Sequence, residues 1–139
     1  MLQKSIVTTA ACLEIVVGAT LLATPGFPCQ LLFATKPEGF AMILARFGGI
    51  GLLALGIACL PSMVTGSSRR AVSGLFVFNF GVAILLAWVA VATTLRGILL
   101  WPGAVLHAGI AAALLPQLLT FKVVGVGDNE DRRAAKGLD

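Results

Sequence analysis

The sequence predicts an all-α integral membrane protein, a bundle of four transmembrane helices with both chain ends in the cytoplasm. The 139-residue chain is 58% hydrophobic and 12% charged, with a mean hydropathy of +1.00, whereas soluble domains are about a quarter charged. Four apolar runs each approach the roughly 20 residues that cross a bilayer as a helix. Most lysines and arginines lie at the ends of these runs.

The elements follow from where the apolar runs begin and end. They predict spans at about residues 5–24, 40–60, 71–95 and 98–121, in a transmembrane domain of residues 1–124 with a charged tail at 125–139. Proline ends the first two runs, at Pro25 and Pro61, because it cannot continue a helix without losing a hydrogen bond. The third run begins after Arg69-Arg70.

Two further features refine the outer side of the bundle and the last span. Residues 25–39 mix apolar and polar side chains, which is typical of a short segment lying in the membrane interface. Trp101 is expected at the outer headgroup level, and Pro102 falls in the first helical turn, where proline is tolerated. Pro116 predicts a kink, or an early break near Ala112.

The distribution of basic residues predicts the orientation. One side of the bundle would carry seven: Lys4, Arg69, Arg70, Lys122, Arg132, Arg133 and Lys136. The other would carry two, Lys36 and Arg96. Because cytoplasmic loops are enriched in lysine and arginine, both termini are placed in the cytoplasm. The net charge of +4 forms no basic patch with interleaved aromatic residues, so nucleic-acid binding is not predicted.

Small residues predict where helices pack closely, because helices in lipid associate largely through close backbone contact. The expected contacts are Ala45 and Gly49 in the second run, Gly74 and Gly81 in the third, and Ala104, Ala108 and Ala112 in the fourth.

Each apolar run is interrupted by one polar residue: Glu14, Arg46, Asn79 and His107. At 1.5 Å per residue all four lie roughly 12 to 21 Å from the cytoplasmic ends, within a bilayer core about 30 Å thick. A lone charge at such a depth costs roughly 2.5 to 3.5 kcal/mol on insertion scales. We therefore expect Glu14 and Arg46 to pair, Asn79 and His107 to complete the network, and all four to face the bundle interior.

This cluster has two interpretations that the residues leave open. It is either an internal clamp that fixes helix register, or a ligand or proton site in which Glu14 and His107 exchange protons and Arg46 holds an anionic or carbonyl group. Intramembrane ionisable residues favour function by default. His107 as an axial haem ligand is a narrower alternative, since a single histidine supplies one axial position per chain. The three cysteines form no CxxC motif, so no metal site is predicted.

Four segments carry a family resemblance: "GATLLATPGF", "ARFGGIGLLALGIACL", "FVFNFGVAILLAW" and "LLWPGAVLHAGIAAALL". Together, over about residues 5–120, they resemble the small four-helix bacterial membrane proteins of the DoxX-like type. The resemblance implies a bacterial inner-membrane location and an accessory role beside quinone-linked or redox enzymes.

Three functional hypotheses follow, none of them with a catalytic residue. The first is a non-enzymatic accessory or oligomer-forming subunit in contact with membrane lipids, with no resident cofactor. The second is a protein that binds a small lipid-like molecule, such as a quinone, at the polar cluster. The third is a proton-coupled transporter or channel formed by oligomerisation. An enzyme ranks last, because no nucleophile–base pair, phosphate loop or metal motif occurs in the sequence.

Overall fold

The computed structural model describes the backbone of residues 2–60 and 68–135, and the side chains of residues 5–60 and 68–120. This part of the chain forms five α-helices and no β-strand. The helices are α1 Leu2–Ala23, α2 Gly26–Phe33, α3 Phe40–Cys59, α4 Arg69–Ala92 and α5 Leu100–Ala135.

Four of these helices contain segments long and apolar enough to cross a membrane. The segments are Ser5–Ala23, Phe40–Cys59, Arg69–Ala92 and Leu100–Thr120. They confirm the four predicted apolar helices, and their bounds differ from the predicted ones by three residues at most. Pro61, predicted to end the second run, lies outside the described residues.

The ends of α4 are closed by specific side chains. At its start, the Ser68 hydroxyl accepts a hydrogen bond from the Ala71 N–H at 3.2 Å, as an N-cap serine does. At its end, the Arg96 guanidinium donates to the carbonyl of Ala90, where a cation also complements the helix dipole. The predicted third span reached residue 95, but Thr93 has extended backbone angles and the helix ends at Ala92.

Helix α5 runs without interruption through Pro116, so the predicted early break near Ala112 is wrong, and the alternative, a kink at Pro116, stays a prediction. Proline removes one backbone hydrogen bond, and helices of this apolar type tolerate the loss because neighbouring groups compensate. Pro102 lies in the first turn, as predicted. The helix continues to Ala135, so residues 125–135 of the predicted tail are helical, while 136–139 lie outside the described residues.

The long helices pack as two pairs, α1 with α3 and α4 with α5, and few contacts join one pair to the other. Within the first pair the backbones touch. A Cβ atom added at Gly18 would lie 2.8 Å from the Gly49 carbonyl oxygen, and one added at Gly49 would lie 2.8 Å from the Gly18 carbonyl oxygen. Gly56 meets the Ala11 carbonyl in the same way, 2.9 Å from an added Cβ, which makes the pair antiparallel.

The small-residue prediction is therefore confirmed for Gly49 of α3 and fails in part elsewhere. Gly49 is a contact point, but a Cβ at Gly81 would meet nothing within 4 Å. On α5, Ala104 is buried, whereas Ala108 and Ala112 are exposed. The buried face of α5 instead continues through Ala111 and Leu114.

The buried apolar side chains form two clusters at different heights. The cluster nearer the N-terminus of α1 contains Val7, Ala10, Ala11, Cys59, Ala71, Val72, Leu75 and Leu114. The cluster nearer α2 contains Leu86, Val89, Ala90, Leu100 and Ala104. Along α4, Asn79 falls between Leu75 of the first and Leu86 of the second, so the polar residues lie at the level between two apolar layers.

Helix α2 ties the two helix pairs together at one end of the bundle. Its last carbonyls accept backbone hydrogen bonds from the α4–α5 loop, Gly97 N–H to Leu32 at 3.1 Å and Leu99 N–H to Leu31 at 2.9 Å. The loop passes so close that a Cβ at Gly97 would overlap the backbone of Leu31 and Leu32. We call these two bonds the α2 clasp.

Candidate functional site

Three of the four predicted polar residues meet in the interior. The Asn79 side-chain amide nitrogen lies 3.4 Å from Glu14 Oε1, and its amide oxygen lies 2.7 Å from His107 Nδ1. Glu14 and Asn79 are almost completely buried, with 1% and 0% of their surface exposed, and His107 is half-buried. The predicted convergence of Glu14, Asn79 and His107 is confirmed, and we call them the polar triad.

Each member of the triad comes from a different helix, so the triad joins the two helix pairs. Glu14 is on α1, between Ala11 and Gly18, the residues that touch α3. Asn79 is on α4 and also donates to the carbonyl of Leu75, one turn earlier, at 2.9 Å. His107 is on α5, where its ring meets the edge of the Phe78 ring, with centroids 6.1 Å apart and planes at 77°. Such an edge contact holds the imidazole in a fixed orientation.

The structure contradicts the predicted position of Arg46. Its side chain is exposed, and the described residues contain no ion pair between it and Glu14, whose side-chain hydrogen-bond partner is Asn79. The reason is helical register. Arg46 lies about a quarter turn away from the face of α3 that carries Gly49, Leu52 and Gly56 and packs on α1.

Arg46 also lies near one end of α3. It lies six residues after the start of α3 at Phe40, a distance of about 9 Å along the helix. A long arginine stem reaches back along much of that distance, because helical side chains lean toward the N-terminus of their helix. The predicted pair rested on the cost of a lone charge in lipid, and that premise does not say which polar surroundings satisfy the charge.

One buried polar residue was missed by the sequence interpretation. Gln117 on α5 has only 6% of its surface exposed. Its amide nitrogen is 3.4 Å from the Ala113 carbonyl, and its Oε1 has no hydrogen-bond partner among the described residues. Its position ten residues after His107, on the same buried face, was the available signal.

A cavity of about 350 Å³ lies between α1, α2 and the start of α5, and His107 lines it. Its walls are apolar apart from His107 and Thr20, and the Thr20 hydroxyl already donates to the Val16 carbonyl at 2.8 Å. Among the lining residues, Leu13 and His107 are the farthest from α2 along their helices. The imidazole therefore lies at the deep end of an apolar cavity that α2 borders.

Other grooves on the described surface lack this combination. The groove of about 440 Å³ along α4 and α5 is lined only by phenylalanine, alanine, isoleucine and leucine, so it offers no polar contact. The described residues contain no group of three His, Cys, Asp or Glu side chains that could share a metal ion. His107 is the single histidine of the chain, and its role as a haem ligand stays a prediction.

The chain matches no protein-family model, and no similar curated protein or solved structure was found. The resemblance to DoxX-like proteins therefore stays a prediction.

Proposed function

We propose that this chain is a four-span membrane protein that binds a small amphipathic molecule in the cavity between α1, α2 and α5. The observation that carries the proposal is the position of His107 at the deep end of an otherwise apolar cavity of about 350 Å³. Ligand sites are typically concave and apolar, with a few polar groups that set the orientation of the ligand. The expected ligand has an apolar body and one small polar end.

The alternative interpretation of the triad, an internal clamp without a ligand, accounts for only part of these contacts. Glu14 and Asn79 satisfy each other, and Asn79 also bonds His107 Nδ1. The second ring nitrogen, Nε2, has no hydrogen-bond partner among the described residues. A purely structural clamp does not require that His107 line a cavity, whereas a binding site requires a polar group in that position.

The proposed topology places both termini in the cytoplasm of a bacterial cell, with the chain in the inner membrane. An even number of spans puts both ends on one side, and the seven-to-two distribution of basic residues supports the cytoplasmic side. In this topology α2, the α2 clasp and the exposed Trp101 lie at the outer interface. The cavity then opens at the level of the outer leaflet, where lipophilic molecules partition.

A second candidate function, an accessory or oligomer-forming subunit, is favoured by the outer face of α3. Arg46 is exposed there beside Phe47, which has 73% of its surface exposed. In this proposal Arg46 is satisfied by an acidic or polar group of another subunit instead of by lipid headgroups. Chemical crosslinking through a Phe47→Cys variant, which keeps Arg46, in intact membranes separates the two: a specific crosslinked product supports the subunit, and its absence supports contact with lipid. The proton-coupled transporter or channel stays a prediction.

Ligand binding is tested with a probe series that shares one apolar body, para-pentylphenol, its methyl ether and para-pentylacetophenone, each tritium-labelled. Uptake into nanodiscs that contain the full chain is compared with uptake into empty nanodiscs. We expect saturable binding of at least one probe to the wild type. Val17→Trp, which fills the cavity, should weaken that binding at least tenfold.

The matched control is Val91→Trp, which adds the same side chain at an exposed position of α4 that does not line the cavity. It should bind like the wild type. Uptake that stays linear with probe concentration and equal in the wild type, both variants and empty nanodiscs would contradict the proposed function.

A further inference from the structure

The orientation of the Asn79 side-chain amide is fixed by the backbone carbonyl oxygen of Leu75, which can only accept a hydrogen bond. One end of the amide lies 2.9 Å from the Leu75 backbone carbonyl oxygen and 3.4 Å from Glu14 Oε1. A backbone carbonyl has no proton to donate. This end of the amide is therefore the NH₂ group, whatever the protonation state of Glu14, and the other end is the carbonyl oxygen Oδ1.

The amide in turn fixes the tautomer of His107. Asn79 Oδ1 lies 2.7 Å from His107 Nδ1, and a carbonyl oxygen can only accept, so Nδ1 carries the proton of this hydrogen bond. The Glu14 carboxyl bonds to the far end of the Asn79 amide and makes no ion pair with the ring, so an imidazolium would leave a charge in an apolar cavity without a direct counterion, which is costly. The ring is therefore the neutral Nδ1–H tautomer, and its Nε2 presents a lone pair.

From this chain of contacts we infer that the cavity selects lipophiles with a hydrogen-bond donor, such as the hydroxyl of a phenol, a hydroquinone or an alcohol. The inference rests on the proposed function and names its ligand class. A molecule in the cavity meets Nε2 as an acceptor. A hydroxyl can donate to it, whereas an ether or a ketone oxygen would face the lone pair with a second lone pair. For a quinone-like ligand, the reduced hydroquinone is favoured over the oxidised quinone.

Glu14 and Leu75 act as positioning groups in this arrangement. They hold the NH₂ end of Asn79, so that its oxygen faces His107, and they touch no molecule in the cavity. The buried carboxyl of Glu14 thus contributes to specificity across two intervening hydrogen bonds.

The tautomer is measured directly, because His107 is the single histidine in the sequence. The full chain is labelled with ¹⁵N-histidine, purified with a tag that contains no histidine, and studied in bilayers by solid-state NMR. We expect a protonated Nδ1 and an unprotonated Nε2. A spectrum with the proton on Nε2 would overturn the inference regardless of any binding result.

Ligand preference is measured with the same probe series. We expect para-pentylphenol to bind roughly 3- to 10-fold more tightly than its methyl ether or para-pentylacetophenone, the range that one net hydrogen bond supplies. Bound phenol should also shift the Nε2 resonance. Equal affinities for the three probes, with saturable binding intact, would overturn the inference and leave the proposed function standing. Absence of saturable binding for all three probes would overturn both.

The variant Asn79→Leu removes the oxygen that holds the Nδ1 proton. Its ¹⁵N spectrum should lose the single Nδ1–H pattern, and its preference for the phenol should fall toward equality. A preference that persists unchanged in this variant would contradict the role of Asn79. The wild-type spectrum and the wild-type probe series do not depend on whether this variant folds.

Discussion

The contact between α1 and α3 and the boundary between the two helix pairs are built in different ways. Along the first, glycines on both helices bring backbone against backbone, with Gly18 against Gly49 and Gly56 against Ala11. Across the second, fewer residues touch, and the joining contacts are the buried apolar cluster around Leu75, the polar triad and the α2 clasp. The α1–α3 contact leaves no space for a ligand, whereas the loosely joined boundary contains a cavity. In the proposed function, the α1–α3 contact supplies stability and the boundary between the pairs supplies the binding site.

The largest expected effect is at the tight contact. Gly49→Ala places a Cβ 2.8 Å from the Gly18 carbonyl oxygen, and because the obstacle is backbone, the two helices must separate. We expect the free energy of unfolding in mixed detergent micelles to fall by about 2 to 3 kcal/mol, the upper range for overpacking.

The control is Gly48→Ala, one residue away, where an added Cβ meets nothing within 4 Å. Its unfolding free energy should not fall, and the higher helix propensity of alanine should raise it by up to about 1 kcal/mol. Equal losses in the two variants would show that the contact with Gly18 does not govern this face, because the higher helix propensity of alanine cannot lower the stability.

A smaller effect is expected at the α2 clasp. Gly97→Ala would push the loop from Leu31 and Leu32 and break two backbone hydrogen bonds. We expect a loss of about 1 to 2 kcal/mol for the two bonds, together with faster hydrogen exchange at the amides of Gly97 and Leu99. Gly109→Ala, in open space on α5, is the matched control and should leave both amides protected. Unchanged exchange in Gly97→Ala would mean that the clasp does not hold the boundary.

The smallest effect is expected at Arg46. If it paired with Glu14 in the interior, removing it would cost about 3 to 5 kcal/mol, because a buried carboxylate would lose its partner. Since Arg46 is exposed and Glu14 bonds to Asn79, we expect Arg46→Met to change the unfolding free energy by less than about 0.5 kcal/mol. A fall of several kcal/mol in the unfolding free energy would contradict this expectation and support an ion pair between Arg46 and Glu14.

The sequence predicted the helices well because each is encoded locally. A run of some 20 apolar residues needs no information from the rest of the chain, and all four runs are helices. The convergence of Glu14, Asn79 and His107 was also predictable, since each needs a polar partner away from lipid.

The features that the sequence did not predict depend on which face of a helix a residue occupies and on which distant segments pack together. Arg46 obeys the same energetic rule as Glu14, but its place on α3 turns it away from α1. Gly18 gives no sign of its role until α3 is known to lie against α1. The α2 clasp consists of backbone groups about 65 residues apart in sequence, and backbone groups leave no trace in side-chain patterns.

The length of α5 has a mechanical consequence. The helix that carries His107 continues 15 residues past Thr120, the end of its apolar segment, and so projects roughly 22 Å farther. If this extension moves as one straight helix, a tilt of about 10° at Thr120 would displace its far end by roughly 4 Å. If a ligand in the cavity that His107 lines tilts α5, the far end of that helix would move, and the other helices need not rearrange.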